Sequence, residues 1–247
     1  MRIITVIWCT LMFSTNIFSQ SESFLGLSFG AAFPQGPFAE KEFGNEQSGY
    51  ANTGFLFTFD GAIFPDDYLG IGATFSYGSN NIDKNQFRDD LMSDVLNRYP
   101  GITELDYSLI YDFGVWRYLN FHVGPNVTVA AGKFNFDIRG LAGLSVVWPP
   151  NPDIQINHQD EEIFSRKTDQ KGIATLGYTV GGGIRYAMRS GYVIRINTDY
   201  SNSKPVFEFT EHVIESLQTG QELKTKKVEK PLKNIQLGIG IAYNFNI

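Results

Sequence analysis

Hydrophobic residues take every second position in eight separate stretches of this chain. In the last, residues 234–247, Ile235, Leu237, Ile239, Ile241, Tyr243, Phe245 and Ile247 alternate with Asn234, Gln236, Gly238, Gly240, Ala242, Asn244 and Asn246. Successive side chains of a strand point to opposite faces, so a period of two predicts a strand with one apolar face and one small or polar face. The same pattern occupies residues 24–33, 53–63, 69–78, 119–131, 134–148, 173–187 and 192–201. Eight two-faced strands are therefore expected.

The segments between them are sorted by length. Short turns are expected at 64–67, 131–133 and 187–191, and long polar loops at 34–51, 79–118, 149–172 and 202–233. Short connections on one rim and long ones on the other are a property of up-and-down barrels that cross an outer membrane, with periplasmic turns and extracellular loops. Residues 103–116, TELDYSLIYDFGVW, also alternate, in the phase that runs on into Leu119. They are read as an extracellular extension of the fourth strand. The alternative adds them and PVFEF, near residue 205, as further strands and gives a ten-stranded barrel.

One face of all eight strands is Leu, Ile, Val, Phe and Tyr, while the other collects Gly, Ser, Thr, Asn and nearly every charge. That polarity fits lipid outside and a polar filling inside, since a closed sheet pairs every backbone group in a bilayer. Tyr186, Tyr192, Tyr243 and Phe245 would face outward near the short-turn rim, and Phe33, Tyr77, Trp148 and Tyr200 near the other, as two aromatic girdles. A soluble lipocalin-like carrier has the same strand number but needs an apolar interior.

With the strands in place, the chain resembles the small outer-membrane β-barrel proteins of Gram-negative bacteria, often called the porin family. The blocks HVGPNVTVAAGKFNFDIRGLAGL (122–144), GYTVGGGIRY (177–186) and LGIGIAYNF (237–245) carry the resemblance. The chain's end is similar to the signal read by the barrel-assembly machinery, with Gln236, Gly238, Ile241 and Tyr243 in its polar, glycine, hydrophobic and aromatic places, and Ile247 where that signal ends on Phe. The resemblance implies residence in the outer membrane, among its lipids and lipopolysaccharide, and a structural or interaction role. It does not specify an activity.

The N-terminus agrees with export. Residues 1–19 hold a single early charge, Arg2, then an apolar run to Phe18, followed by Ser19 and Gln20. This reads as a secretory signal followed by one barrel domain, 20–247, the other reading being a membrane anchor. The sole cysteine, Cys9, lies inside it, so the mature chain has no disulfide or thiol chemistry. Loss of Arg2 moves the formal charge from −6 to −7, an acidity that gives no support to nucleic-acid binding.

Candidate chemistry is sparse. Asp60, Asp137, Arg139, Arg185 and Arg195 fall on inward positions near the short-turn end, with Asp199 higher. Three acids against three bases form a near-neutral cluster, and an eight-stranded interior is just wide enough for side chains to fill. A salt-bridged plug is expected; the alternative is a gated path for small solutes. His122 is the only histidine on an inward strand face, and its neighbours Asn120, Gly124 and Asn126 supply no serine nucleophile or metal set. No catalysis and no cofactor are expected, an outer-membrane acyl hydrolase being the remotest alternative. His158 with Asp160, Glu161 and Glu162 reads as a solvated acidic loop, lacking the glycine turn and spacing of a calcium loop. In DKNQFRDDLMSDVLNRY, residues 83–99, Phe87, Leu91 and Val95 recur every four residues beside Met92 and Leu96, which predicts a short amphipathic helix over the barrel mouth. Lys224, Lys226, Lys227, Lys230 and Lys233 stand just above the last strand, either solvated or placed to meet lipopolysaccharide phosphates. The long loops are the expected site of an extracellular partner.

Overall fold

The computed structural model describes residues 22–98, 107–112, 114–151, 153–158, 161–167, 171–215 and 221–246, so the expected signal lies outside the described residues. In chain order the elements are β1 (Ser23–Pro34), β2 (Gly54–Ile63), β3 (Leu69–Asn80), α1 (Lys84–Arg98), β4 (Tyr107–Asp112), β5 (Trp116–Ala131), β6 (Phe134–Trp148), β7 (Asp153–His158), β8 (Glu161–Lys167), β9 (Ile173–Ala187), β10 (Tyr192–Ser203), β11 (Val206–Glu215), β12 (Gln221–Glu229) and β13 (Leu232–Phe245). Eight of them close a barrel in the order β1-β13-β10-β9-β6-β5-β3-β2, every neighbour antiparallel. These are the eight strands expected from the alternation. Closure joins the first strand to the last, with Ser23 opposite Phe245 and Phe33 opposite Ile235.

The alternation becomes a separation of environments. Outward residues such as Ile138 and Leu176 are 68% and 80% exposed, while inward Thr128 and Arg185 are fully buried. Short connections join β2 to β3, β5 to β6 and β9 to β10. The tightest needs Gly132 at φ +63°, a conformation that a side chain disfavours. Tyr186, Tyr192 and Tyr243 stand exposed on the outer face at this rim, the rings of Tyr192 and Tyr243 5.5 Å apart.

The long loops hold more structure than their polarity suggests. A second, five-stranded sheet, β12-β11-β8-β7-β4, is built from the segments expected as loops at 79–118, 149–172 and 202–233. Residues 103–116 are accordingly not an extension of the fourth barrel strand. Their described part, β4, pairs with β7 in the second sheet, and Gly114 and Val115 interrupt the chain before β5. The segment near 205 is a strand, β11, but it too belongs to the second sheet, so the barrel stays at eight and the ten-stranded alternative is excluded. Of the stretch NHQDEE, Asn157 and His158 end β7 and Glu161 and Glu162 begin β8, with His158 opposite Glu161, while residues 159–160 lie outside the described residues.

Prolines mark the places where the sheet is cut. β10 meets β11 across Lys204-Pro205, β12 meets β13 across Lys230-Pro231, and β6 is followed by Pro149-Pro150. Proline has no N–H to give a ladder, so each of these points lacks a donor where the strands part, whereas Pro125 is carried inside β5. One bond bridges the paired joints, the Lys230 amide donating to the Pro205 carbonyl at 3.0 Å.

Candidate functional site: the layered lumen and its charge network

The inward faces of the barrel are stacked in layers. At the short-turn rim, Phe24, Ala62, Phe64, Val193 and Ala242 form an apolar base. Above it the six charged residues named from the sequence converge, all at or below 8% exposure. Arg139 on β6 reaches Asp199 on β10 through two bonds, Nε to Oδ1 at 2.8 Å and Nη2 to Oδ2 at 2.5 Å, and its Nη1 donates to Asp60 on β2. Arg195 clamps the same Asp60, Nη1 to Oδ1 at 2.5 Å and Nη2 to Oδ2 at 2.7 Å. Arg185 forks onto Asp137 at 2.8 and 2.9 Å, then spends its remaining donors on Thr128, Asn244 and the Glu22 carbonyl. β2, β6 and β10 are not neighbours in the barrel, so the pairs tie separate walls together across the lumen.

Bidentate guanidinium–carboxylate pairs are the strong, directional form of this contact. Buried ions are tolerated only when partnered, and here each of the six has an opposite charge within bonding reach. Phe24 supports two of the cations from below, its ring centroid 4.1 Å from the Arg185 guanidinium and 5.1 Å from that of Arg195. Room for the long side chains comes from residues with none. A Cβ at Gly181 would stand 2.2 Å from Asp199 Oδ1, and one at Gly26 would stand 3.0 Å from Arg195 Nη1.

The next layer is polar and uncharged. His122 contacts Thr179 Oγ1 through Nδ1 at 2.9 Å and Ser145 Oγ through Nε2 at 3.2 Å. The expectation that no serine lies beside it is therefore corrected: Ser145 is brought across from β6 by the pairing of His122 with Gly143. Both ring nitrogens are occupied by hydroxyls, and Ser145, His122 and Thr179 are all buried. Local sequence could not reveal the serine, because the contact depends on the register between two strands.

An apolar cap closes the long-loop end. Phe38, Tyr50, Leu56, Ile82, Trp116, Tyr118, Val147, Phe207 and Leu232 share one buried cluster. Trp116 meets Phe38 at 5.5 Å and Phe207 at 6.1 Å, and its indole N–H donates to the Gly49 carbonyl. Residues 84–98 form the expected helix, with Leu91 and Met92 buried and Phe87 packed on Tyr50 at 5.1 Å. Tyr50 donates to Asp90 at 2.7 Å, and burial together with that carboxylate pushes its phenol pKa up. Asp83 caps the helix, accepting from the Gln86 amide at 3.2 Å, and the Lys41 ammonium at 2.7 Å holds its carboxyl below the usual range.

The lysine run is divided between β12, the joint after it and β13. Lys224 and Lys226 lie on β12 opposite Glu211 and Phe209, Lys227 pairs with Glu208 at 3.5 Å, Lys230 donates to the Ser48 carbonyl at 3.0 Å, and Lys233 is half-buried on β13. Of the expected assembly residues, Gln236 is buried and Gly238 shares its inward face, whereas Ile241 and Tyr243 are 58% and 50% exposed outward.

Neither a family model nor a curated protein sequence matches the chain. Among solved structures it is similar to the outer membrane protein OprG from Pseudomonas aeruginosa, at 11% identity and a TM-score of 0.50, covering 92% of this chain and 98% of that one. The chain has the outer-membrane β-barrel fold. Two further similarities are a major outer membrane protein from Thermus thermophilus, at 12% identity and 0.45, covering 91% of this chain and 100% of the other, and Ail from Yersinia pestis, at 10% and 0.41, covering 92% and 100%. In an outer-membrane barrel the short-turn rim is periplasmic and the long-loop rim extracellular. The base, charge network and His122 layer lie within the barrel strands, and the second sheet lies on the long-loop side.

Proposed function

We propose that this chain is exported by the signal at residues 1–19 and serves as a sealed outer-membrane barrel with a structural or surface-interaction role, neither catalytic nor conducting. The observation that carries this reading is the closed charge network. Arg139, Arg195 and Arg185 each bind an aspartate from another strand, and the cavity left among them measures only about 10 Å³. That is room for roughly one water. Among the described residues an apolar base lies below the network and the His122 layer and apolar cap lie above it, which supports a sealed lumen. The surface role falls to the second sheet, whose edge strand β12 carries Lys224, Lys226 and Lys227, where lipopolysaccharide phosphates or an extracellular partner would bind. Insertion would use the barrel-assembly machinery through the β13 end.

Refolded, signal-free chain in planar bilayers tests the seal. The expected record is silent although the protein migrates on gels as a folded, heat-modifiable barrel. Steady ion-selective openings would overturn the reading and turn the same arginine–aspartate pairs into a gate.

A further inference from the structure

The protein is acidic overall, with a formal charge of −6, yet cations without matching acids stand on the outer wall at its long-loop rim. Arg117 lies at the start of β5, Lys204 follows β10, and Lys233 lies at the start of β13; the first two are exposed and Lys233 is half-buried. Each stands just beyond the apolar band of its strand. Arg117 shares the outward face of Leu119 and Phe121, Lys233 that of Ile235 and Leu237, and Lys204 comes after Tyr200. The strands are contiguous in the wall, in the order β13-β10-β9-β6-β5. Pairing joins the positions into one arc: Lys233 is opposite Asn202, Thr175 of β9 donates to the Lys204 carbonyl at 3.3 Å, and Arg117 is opposite Trp148. Among the described residues Arg117 and Lys233 have no ion pair, and Lys204 has only Glu229 at 3.9 Å.

We propose that this arc binds the phosphate groups of anionic lipids in the outer leaflet. Aromatic side chains with polar tips lie beside and below it on the same outer face: Trp148 is half-buried, and the rings of Tyr178 and Tyr200 are 6.3 Å apart. Trp and Tyr belts sit where hydrocarbon gives way to headgroups, so cations at this belt stand at the height of lipid phosphates. Neighbouring strands are about 4.8 Å apart, which lets Lys204 and Lys233, on adjacent strands, share one phosphate. Arg117 is three strands from Lys204 and takes another, its guanidinium matching two phosphate oxygens at once. The proposal rests on the outer-membrane reading and gives it a ligand class. It is separate from the lysines of β12, of which Lys227 already has Glu208 at 3.5 Å.

Spin-labelled lipids test the contact. The signal-free chain is refolded into phosphatidylcholine vesicles holding spin-labelled phosphatidic acid or spin-labelled phosphatidylcholine, and the motionally restricted fraction of each label gives their relative affinity. The phosphatidic acid label is expected to be favoured, by about fivefold for each cation it meets. Arg117→Gln, Lys204→Gln and Lys233→Gln together should remove most of that preference, while Lys133→Gln, in the short turn between β5 and β6, leaves it in place. Each variant is checked for the heat-modifiable form. An inserted chain without the preference, or a preference that survives the triple substitution, would overturn this proposal alone. Loss of the preference on adding inorganic phosphate at matched ionic strength would assign the arc to free phosphate and overturn the lipid source. A chain that does not insert would overturn the outer-membrane reading as well.

Discussion

Arg139 donates to two aspartates on different strands, and this makes it the residue whose loss the barrel should feel most. Removing it leaves Asp60 with Arg195 alone and Asp199 with only the amide of Asn197. An uncompensated buried charge costs about 3–5 kcal/mol, whereas an intact buried pair adds little over a well-packed apolar one. Arg139→Leu is therefore expected to destabilise the barrel by about that amount, read as a lower urea midpoint for the loss of the heat-modifiable form in micelles. An unchanged midpoint would mean that the network fills space without setting stability. The charges themselves were legible from parity, since each sits on an inward position of an alternating strand. Their pairing was not, because it depends on how closure brings β2, β6 and β10 together, and the same holds for Ser145 beside His122.

Elements differ in how plainly the chain announces them. A lipid-facing strand must keep its apolar alternation, which is why eight strands could be placed within a few residues. β12, QELKTKKVE, carries charges on both faces and has no lipid to satisfy, so the period-two signal vanishes although a strand forms. The prolines at 149, 150, 205 and 231 were the available sign that the long loops contain a second, separate sheet. The helix α1 was legible through Phe87, Leu91 and Met92, and its attachment carries a pH dependence. Lys41 holds the Asp83 carboxyl below its ordinary value of about 3.9, so the folded state favours the ionised form. That contribution is complete above the unfolded value and is lost as pH falls through the lowered one. Amide signals of α1 are expected to hold from neutrality to about pH 4, and to shift and broaden below it. Asp83→Asn, which keeps a capping oxygen but no charge, should remove that acid transition from the same titration; an identical transition in the variant would assign it to other carboxylates.

At the scale of the whole molecule, two groups of buried side chains fill the lumen, a charge network toward the short-turn rim and an apolar cap toward the long-loop rim. The two are physically separate: the network is anchored on β2, β6, β9 and β10, and the cap depends partly on Phe207, which belongs to the β11–β12 hairpin beyond the Lys-Pro joints. Replacing residues 206–229 with a short glycine–serine turn would remove Phe207 from beside Trp116 and open one side of the cap. Every described bond of the network and the pairing of β10 with β13 from Tyr192 to Ser203 would be left in place. If the charges make the seal, the shortened barrel still folds into micelles, still shows heat-modifiable migration, and stays silent in planar bilayers. If openings appear instead, the seal is the cap, and the charge network is better understood as the means by which an eight-stranded interior is packed with polar side chains. The outcome also assigns the hairpin: a silent, folded, shortened barrel frees β11 and β12 from any part in closing the pore.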